Sequence, residues 1–457
     1  MESFLRDLAE AQAAMGLAPR VLAHAERPWR PGSEDSMAGV PVTRAAILGR
    51  LAFAPLSPSY ALRLARLLRE FRPDVIHVHL PNPSAFALLG LPSASRVPLV
   101  LHWHSDVVTE GSRSLALLHP PYRVLEQALL RRAQAVAATS APYLEASTAL
   151  APHRAKCRVI PLGLDPARLH APTEAEVARA RAWALGGRAR QPGRASPSPD
   201  PTHQGPWAPG PRIFQADASR LNLEASAKES GVQGNYSPGG RESERGRRPL
   251  SATTRGMPAD DGGFLLLAAG RFSHYKGFDV LVRAAGLLPQ EARVVIVGDG
   301  PERAGLLRLA RELGLADRVR MPGSLPDREL HALMAACDCF CLPSVARAEA
   351  FGLVLAEAMA FGRPLICSRL PGSGMTVVNE EGVTGLAFAP GDAAGLARSV
   401  RRLMADAGLR ERLGWAGRER FGKELGISAV AQACYRLYAE LTARATRRPR
   451  TDGGPGA

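Results

Sequence analysis

The sequence has few cysteines, few aromatic residues and no long apolar run, and each shortage excludes a class of protein. Six cysteines in 457 residues do not make a disulfide framework, so a reducing compartment is expected. No apolar run reaches the roughly 18–20 residues that cross a bilayer. The acidic, amphipathic N-terminus does not have the form of a signal peptide. The sequence therefore predicts a cytoplasmic protein.

Acidic residues are also fewer than basic ones, which gives a formal net charge of +15. Arginine greatly outnumbers lysine and is scattered along the chain. A nucleic-acid platform interleaves aromatic with basic residues, and no such stripe occurs in the sequence, in which aromatic residues make up 5%. No nucleic-acid partner is therefore expected, whereas peripheral contact with the inner face of the cell membrane stays open.

What is present is a strand–helix alternation that occurs twice, which is typical of parallel sheets covered on both faces. We expect an N-terminal domain over 1–170, a C-terminal domain over 263–425, a C-terminal helix over 426–446 and a disordered tail over 447–457. Ser57-Pro58 is expected to cap the first helix that follows residue 45. Predicted strands are 75–79, 97–103, 135–139 and 158–161 in the first domain, and 264–268, 293–297, 319–321, 339–342 and 364–367 in the second.

Two segments do not fit the alternation. Residues 186–262 are rich in proline, glycine, serine and charge, which predicts an unstructured insertion at the domain junction. The chain also opens on a helical pattern, whereas a doubly wound domain opens on a strand and a glycine-rich turn. We therefore expect that this first strand and turn are missing here and that the true start codon lies upstream.

The strongest motif is Gly270-Arg271-Phe272-Ser273-His274-Tyr275-Lys276-Gly277. It follows the first strand of the second domain and precedes a helix, which is where open α/β sheets bind ligands. Arg271 and Lys276 can converge there on a diphosphate through charge-assisted hydrogen bonds. Taken alone, the motif is equally compatible with two solvated surface charges.

A second motif runs from Glu349 to Glu357 and leads from a predicted strand into a helix. The spacing separates the two carboxylates along the helix axis, so each can bind its own group of a polyol ligand. Gly352 permits close backbone approach, and the free N–H groups of a helix start can bind phosphate. Phe351, Leu355 and Met359 have the spacing of a core stripe, which does not account for Glu349.

Together the two motifs resemble the family-four retaining glycosyltransferases. The resemblance implies the GT-B fold, an α/β architecture of two facing Rossmann-like doubly wound domains with the active site in the cleft. It implies that Arg271 and Lys276 hold the donor diphosphate and that Glu357 holds the ribose. It also implies that Glu349 contacts the transferred sugar, helped by the backbone amides at Gly352 and Leu353.

The first domain adds His104-Ser105-Asp106 after a predicted strand, which is similar to the mannosyl- and rhamnosyl-transferase branch. The resemblance implies that His104 faces the sugar across the cleft. By itself, a histidine at a strand end is more often a structural residue. His77 and His79 are interpreted as mostly structural.

No metal ion or cofactor is expected. Cys337, Cys339 and Cys341 should lie on one side of a strand as small buried residues, because zinc sites favour Cys-x2-Cys pairs. The segment 297–301, Val-Gly-Asp-Gly-Pro, lacks the full glycine spacing of a dinucleotide site, so NAD is not expected.

These expectations combine into a retaining, metal-independent hexosyltransferase of polysaccharide biosynthesis. The donor would be GDP-mannose, which is favoured, or a UDP-hexose, and the acceptor a saccharide or lipid-linked saccharide. Activity would depend on the missing N-terminal segment, and Lys276→Ala or Glu349→Ala should abolish transfer while leaving the fold intact. The alternatives are a nucleotide-sugar epimerase and a catalytically defective homologue that only binds the donor.

Overall fold

The computed structural model describes residues 2–25, 27–29, 32–51, 54–107, 113–186, 215–220 and 262–446, which form two α/β domains. The strands are β1 (Ala18–His24), β2 (Glu34–Met37), β3 (Val40–Ala45), β4 (Gly49–Leu51), β5 (Ala54–Leu56), β6 (Ile76–Leu80), β7 (Leu99–Trp103), β8 (Ala135–Ala138), β9 (Cys157–Val159), β10 (Gln215–Arg220), β11 (Phe264–Ala269), β12 (Ala292–Val297), β13 (Val319–Gly323), β14 (Cys339–Leu342), β15 (Leu365–Ser368) and β16 (Gly385–Phe388).

The helices are α1 (Glu2–Ala14), α2 (Ser59–Phe71), α3 (Pro92–Ser95), α4 (Arg113–Arg132), α5 (Ala141–Ala146), α6 (Glu174–Leu185), α7 (Phe278–Gly286), α8 (Arg303–Glu312), α9 (Asp327–Ala336), α10 (Leu353–Ala360), α11 (Met375–Val378), α12 (Ala393–Ala405), α13 (Ala407–Arg420) and α14 (Ile427–Thr446). Among the residues that the structure describes, no helix is both long enough and apolar enough to cross a membrane.

The second domain contains a six-stranded sheet in the order β13-β12-β11-β14-β15-β16, and all of its strand pairs are parallel. Side chains of β11 alternate between two apolar cores, with Leu265 and Leu267 on one face and Leu266 and Ala268 on the other. This order is that of a doubly wound sheet, whose strand order reverses between β11 and β14. The crevice outside the carboxyl ends of these two strands is therefore the place for a ligand.

The first domain contains an eight-stranded sheet in the order β2-β3-β1-β10-β6-β7-β8-β9. Strand β10 lies within the predicted insertion and pairs antiparallel with both β1 and β6. The expectation that 186–262 is unstructured is therefore wrong for Gln215–Arg220, because β10 provides hydrogen-bond partners for two neighbouring strands. Residues 187–214 and 221–261 lie outside the described residues, as does the predicted tail over 447–457.

Two helices pack on the domain that is distant from them in the sequence. Ala180 and Trp183 of α6 belong to the same core as Leu333 of the second domain. Helix α14 returns to the first domain, where Val430 packs in one core with Phe4. The predicted C-terminal helix over 426–446 therefore exists as α14 and completes the first domain.

Two local predictions are corrected by the structure. Ser57 does not cap α2, because Pro58 is its N-cap and the Ser57 hydroxyl donates to Ala46 O at 2.6 Å. Cys337 does not share a side with Cys339 and Cys341, because it ends α9 and packs in the opposite core. Burial raises the pKa of the Cys337 thiol to about 12, and all three thiols are buried.

Candidate active site

Lys276 and Glu349 meet at the carboxyl edge of the second sheet, although 73 positions separate them in the sequence. Lys276 ends the turn of 3₁₀ helix that follows β11, and Glu349 lies in the loop after β14. Lys276 Nζ donates to Glu349 Oε2 at 2.5 Å, and each side chain is 11% exposed. The Ser344 hydroxyl donates to the same carboxylate oxygen at 3.3 Å. Two predicted donor-site residues thus form one buried ion pair.

Glycine at two positions brings the Lys276 turn close to its neighbours. Gly277 has a φ of +63°, and a Cβ there would collide with the carbonyl oxygen of Pro343, directly after β14. Gly270 has a φ of +152°, and a Cβ there would lie 3.4 Å from Lys276 Cε. A Cβ at Gly277 would therefore push the Lys276 turn away from the loop that carries Glu349, and the positive φ at both positions favours glycine.

The charges of the site are set by burial and by mutual contact. Burial disfavours the charged form of Lys276, yet the nearby carboxylates of Glu349 and Glu357 outweigh it and raise the pKa of Lys276. Burial and the charge of Asp327 raise the pKa of Glu357 to about 7, against the opposing effect of Lys276. The site therefore holds a permanent cation beside a carboxyl group that titrates near neutrality.

The start of helix α10 lies beside this ion pair. Gly352 is its N-cap with a φ of +81°, and Leu353 is its first residue. The first N–H groups of a helix have no partner within the helix and form its positive end, which suits a phosphate or another anion. Phe351, Leu355 and Met359 are buried in the core, so the core-stripe interpretation holds for them while Glu349 lies outside the stripe.

Arg271 and Glu357 occupy the same edge of the sheet as the ion pair. Arg271 is half-buried and follows β11 directly after Gly270, and its carbonyl oxygen accepts from Ser273 N at 2.9 Å. Glu357 is half-buried within α10 and close enough to Lys276 for their charges to interact. Their contacts with a diphosphate and a ribose stay predictions.

His104 lies just after β7 and is buried. Its backbone N–H donates to Leu80 O at 3.0 Å, and its Nε2 is 2.8 Å from His79 Nδ1. Burial lowers the pKa of His104 well below its usual range, helped by the neighbouring His102. The ring is therefore a neutral hydrogen-bonding group with a fixed orientation, and His79 supplies part of that orientation.

An ion pair joins the His104 loop to the Glu349 loop. Arg347 Nη2 donates to Asp106 Oδ2 at 3.1 Å, and Arg347 Nη1 donates to Ala146 O at 3.2 Å. The guanidinium also lies 5.1 Å from the centre of the Tyr143 ring. Asp106 follows His104 by two positions and Arg347 precedes Glu349 by two, so the two predicted catalytic residues lie on loops that touch across the cleft.

Sequence reasoning missed Arg347 and gave Asp106 no role. The sequence contains a basic residue, Arg347, beside the second motif and an acidic residue, Asp106, beside His104 in the other domain. Nothing local to either segment indicates that the two charges pair, so only the tertiary structure identifies the contact.

Backbone and apolar contacts join the same two edges. Ala350 is buried in the first-domain core with Trp103 and Tyr143. Gly374 N donates to Ala350 O at 2.7 Å, and a Cβ at Gly374 would lie 3.0 Å from the Ser140 hydroxyl. The loops after β14 and β15 therefore close directly on the first domain.

Comparison with known proteins gives matches for both domains. Residues 254–420 match the family model of the glycosyl transferases group 1, and residues 1–163 match that of the glycosyl transferase 4-like domain. The lipopolysaccharide core biosynthesis glycosyltransferase LpsD of Rhizobium meliloti is 35% identical over 42% of this chain and 53% of its own length. The O-antigen chain mannosyltransferase C of Escherichia coli is 25% identical over 86% of this chain and 83% of its own. The first of these matches thus spans about half of the relative.

Solved structures match across both domains. Sucrose-phosphate synthase from Thermosynechococcus elongatus has a TM-score of 0.67 at 24% identity and covers 96% of this chain and 93% of its own. HepE from Anabaena, in complex with UDP and glucose, has a TM-score of 0.60 at 19% identity and covers 96% of each chain. These likenesses show the fold. Residues 254–420 thus match the glycosyl transferases group 1 and residues 1–163 match the glycosyl transferase 4-like domain, and the chain has the GT-B fold.

Proposed function

We propose that this protein transfers a hexose, with mannose favoured, from a nucleotide-diphosphate sugar to a saccharide or lipid-linked saccharide acceptor. The observation that carries the proposal is the buried Lys276–Glu349 ion pair beside the N-terminus of α10. In the proposed complex, Lys276 and Arg271 bind the diphosphate, Glu357 binds the ribose hydroxyls and Glu349 binds the transferred sugar. Two cations and a positive helix end thus surround the charge of the leaving group.

The proposed reaction breaks the bond between the anomeric carbon and the diphosphate and forms a bond between that carbon and an acceptor oxygen. Negative charge builds on the leaving diphosphate, where Lys276 and Arg271 stabilise it in the transition state. The acceptor attacks from the face that the diphosphate leaves, so the configuration is retained, and a phosphate oxygen takes the acceptor's proton. The side-chain cations fill the role that a metal ion would have at the diphosphate.

His104 acts from the opposite side of the cleft. Its neutral ring, oriented through His79, hydrogen-bonds a hydroxyl of the transferred sugar. The Asp106–Arg347 contact keeps His104 and Glu349 on facing loops. Closure of these loops excludes water, which would otherwise hydrolyse the donor.

The preference for mannose is supported by the alignment with O-antigen chain mannosyltransferase C, which runs over 86% of this chain. The resemblance of the His104-Ser105-Asp106 segment to the mannosyl- and rhamnosyl-transferase branch points the same way. UDP-hexoses are the second donor class, because HepE, which shares the fold, has been solved with UDP-glucose.

The proposal is tested by incubating the protein with GDP-mannose and UDP-hexoses, each with and without a mixture of lipid-linked saccharides. Acceptor-dependent release of nucleoside diphosphate supports it, and proton NMR of the product reports retention at the anomeric carbon. The release should not require added Mg²⁺ or Mn²⁺. Interconversion of nucleotide sugars without acceptor would instead identify an epimerase, and donor binding without turnover would identify a defective homologue.

We also propose peripheral membrane contact through helix α4. Leu117 is 78% exposed and Val124 is 66% exposed, and one helical face therefore presents apolar side chains in a protein of net charge +15. Co-sedimentation with vesicles containing anionic lipid should fall in a Leu117→Ser/Val124→Ser variant. Equal sedimentation of both proteins would contradict this contact.

A further inference from the structure

Two His-x-His pairs lie on neighbouring strands and face the same side of the first sheet. His77 and His79 belong to β6, while His102 belongs to β7 and His104 follows it. The strands are parallel and His79 lies opposite His102, and alternate residues of a strand share a face. All four rings are buried. Four imidazole rings therefore lie together in the interior, and the proposed reaction uses only the ring of His104.

The hydrogen bonds of these rings leave several nitrogens without partners. His77 Nδ1 lies 2.5 Å from the Tyr438 hydroxyl of α14, and His79 Nδ1 lies 2.8 Å from His104 Nε2. Nε2 of His77 and Nε2 of His79 have no hydrogen-bond partner among the described residues. His102 has at most one, a weak contact with the backbone of Ile160 that opposes the lowering of its pKa by burial, so at least one of its ring nitrogens is also unpartnered. A buried polar atom without a partner is costly, so each one requires an explanation.

We propose that His77, His79 and His102 bind a divalent transition-metal ion of the zinc class. One ligand nitrogen from each of the three lies within 4.8 Å of the others. Zinc–nitrogen bonds of about 2.0–2.1 Å require a closer approach of these nitrogens. The His102 ring is nearly parallel to those of His77 and His79, at 12° and 19°, so binding includes rotation of the rings toward a common centre.

The surroundings match those of a histidine-ligated metal ion. A ligand histidine usually has its second nitrogen hydrogen-bonded, which fixes the ring and its tautomer. Tyr438 and His104 provide this contact for His77 and His79. With Nδ1 of His77 donating to the hydroxyl oxygen, its Nε2 carries the lone pair that a metal ion needs. Neutral imidazoles without a carboxylate suit zinc, copper and nickel rather than magnesium or calcium.

The site would be structural and separate from the donor diphosphate. It lies beneath Phe4 of α1, whose ring has edge contacts with His79, His102 and His104, and beside Tyr438 of α14. A bound ion would connect β6 and β7 with these terminal helices, and it would hold His104 in place through His79. The competing account is a dry core of neutral imidazoles that binds nothing.

The test uses the full chain without a histidine tag, stripped with EDTA and titrated with Co²⁺ and then Zn²⁺. We expect one ion per chain by elemental analysis, a visible Co²⁺ absorption band that Zn²⁺ abolishes, and a higher melting temperature with metal. A His102→Phe variant should bind at least about 100-fold more weakly. The matched control is His153→Phe, because His153 is a half-buried histidine outside the cluster.

Two results would overturn the proposal. One is an absence of stoichiometric binding to the wild-type chain, which would leave the dry core as the account. The other is a His102→Phe variant that binds as tightly as the control, which would place the metal elsewhere. If His102→Phe does not fold, His77→Gln and His79→Gln replace it, and unchanged binding in both would be equally decisive.

Discussion

At the scale of single residues, the structure changes what a mutation of the donor site should do. Sequence reasoning expected Lys276→Ala or Glu349→Ala to leave the fold intact, as it would for exposed charges. The two side chains form a buried ion pair, and removing one partner of such a pair costs about 3–5 kcal/mol because the other charge stays buried and unpaired. That expectation must therefore be revised.

We predict that Lys276→Met and Glu349→Gln each lower the free energy of unfolding by about 3 kcal/mol, whereas the double variant recovers most of the loss. Chemical denaturation measures all three. The control is Lys423→Met, which breaks an exposed Lys–Glu pair to Glu419 at 2.6 Å and should cost less than about 1 kcal/mol. Additive losses in the double variant would show that the pair is not coupled.

Glu357 should make donor binding depend on pH. Burial raises its pKa to about 7, so the carboxyl group is protonated below neutrality and ionised above it. An ionised carboxylate accepts both hydrogen bonds of a ribose diol. The dissociation constant for a nucleotide sugar should therefore fall between pH 6 and pH 8, by up to about tenfold per unit below the pKa.

Isothermal titration calorimetry across this range is the measurement. A nucleotide sugar is preferred to a nucleoside diphosphate because its diphosphate diester does not titrate near pH 7. In the Glu357→Gln variant the affinity should be independent of pH. The same pH dependence in that variant would assign the effect to another group.

The sequence located most of the candidate site but not its contacts. Arg271, Lys276, Glu349 and Glu357 were identified because each belongs to a recognisable local motif. The Lys276–Glu349 bond joins motifs 73 positions apart, and the partner of Arg347 lies in the other domain. Such pairings depend on how the sheets pack, which a local pattern does not encode.

At the scale of secondary structure, the apolar strands of the second domain were predictable. The expected strand 339–342 is Cys339–Leu342, and the expected 264–268 is Phe264–Ala269. Their continuous apolar runs are required because both faces of the sheet are covered. Strand β10 was not predicted, because its residues Gln215–Arg220 have no apolar pattern. Its strand form depends on pairing with β1 and β6, which lie far away in the sequence.

The turn between β11 and α7 should not tolerate a Cβ at Gly277. Gly277 and Gly314 have nearly the same φ, +63° and +67°, but only at Gly277 would a Cβ collide with a neighbour, while none lies within 4 Å at Gly314. Gly314→Ala should therefore cost only the strain of the left-handed backbone, about 1–2 kcal/mol. Gly277→Ala should cost more, because the loop after β14 must also move.

Thermal unfolding and donor binding measure both effects. We expect Gly314→Ala to bind donor normally and Gly277→Ala to lose binding even at temperatures where it is folded. Equal stability and equal donor affinity in the two variants would show that the close approach of Gly277 to Pro343 is not needed.

At the scale of the whole molecule, the two domains are joined by crossing helices and by the loops of the cleft. Sequence patterns indicated two domains and placed their limits near 170 and 263. They did not indicate that α6 packs on the second domain or that α14 packs on the first. In the sequence each helix adjoins the other domain, and only the tertiary contacts show where it packs. Any hinge motion between the domains must therefore accommodate two places where the chain crosses from one domain to the other.

The Arg347–Asp106 contact should matter for turnover more than for donor binding. The pair is partly exposed, at 36% and 23% of the two side chains, so its effect on stability is small. Arg347→Ala should lower kcat about tenfold, because the facing loops lose their alignment, and should leave the KM for donor within about twofold. The control, Arg369→Ala, breaks an exposed pair with Glu381 within the second domain.

A double-mutant cycle of Arg347→Ala with Asp106→Ala completes this test. Asp106 also accepts from Trp103 Nε1 and from the Ser147 hydroxyl, so Asp106→Ala removes more than this bond. If the two residues act through their mutual bond, the double variant should lose little more turnover than Asp106→Ala alone. Independent, multiplying losses would mean that the contact does not align the cleft.

The central claim is that a nucleotide-diphosphate sugar binds where Lys276 and Glu349 meet. The most direct measurement is calorimetric titration of GDP-mannose and UDP-glucose into the wild type, Lys423→Met and the Lys276→Met/Glu349→Gln double variant. The account predicts that at least one donor binds the first two proteins equally and the folded double variant at least about 100-fold more weakly. Equal affinity for all three proteins would contradict it.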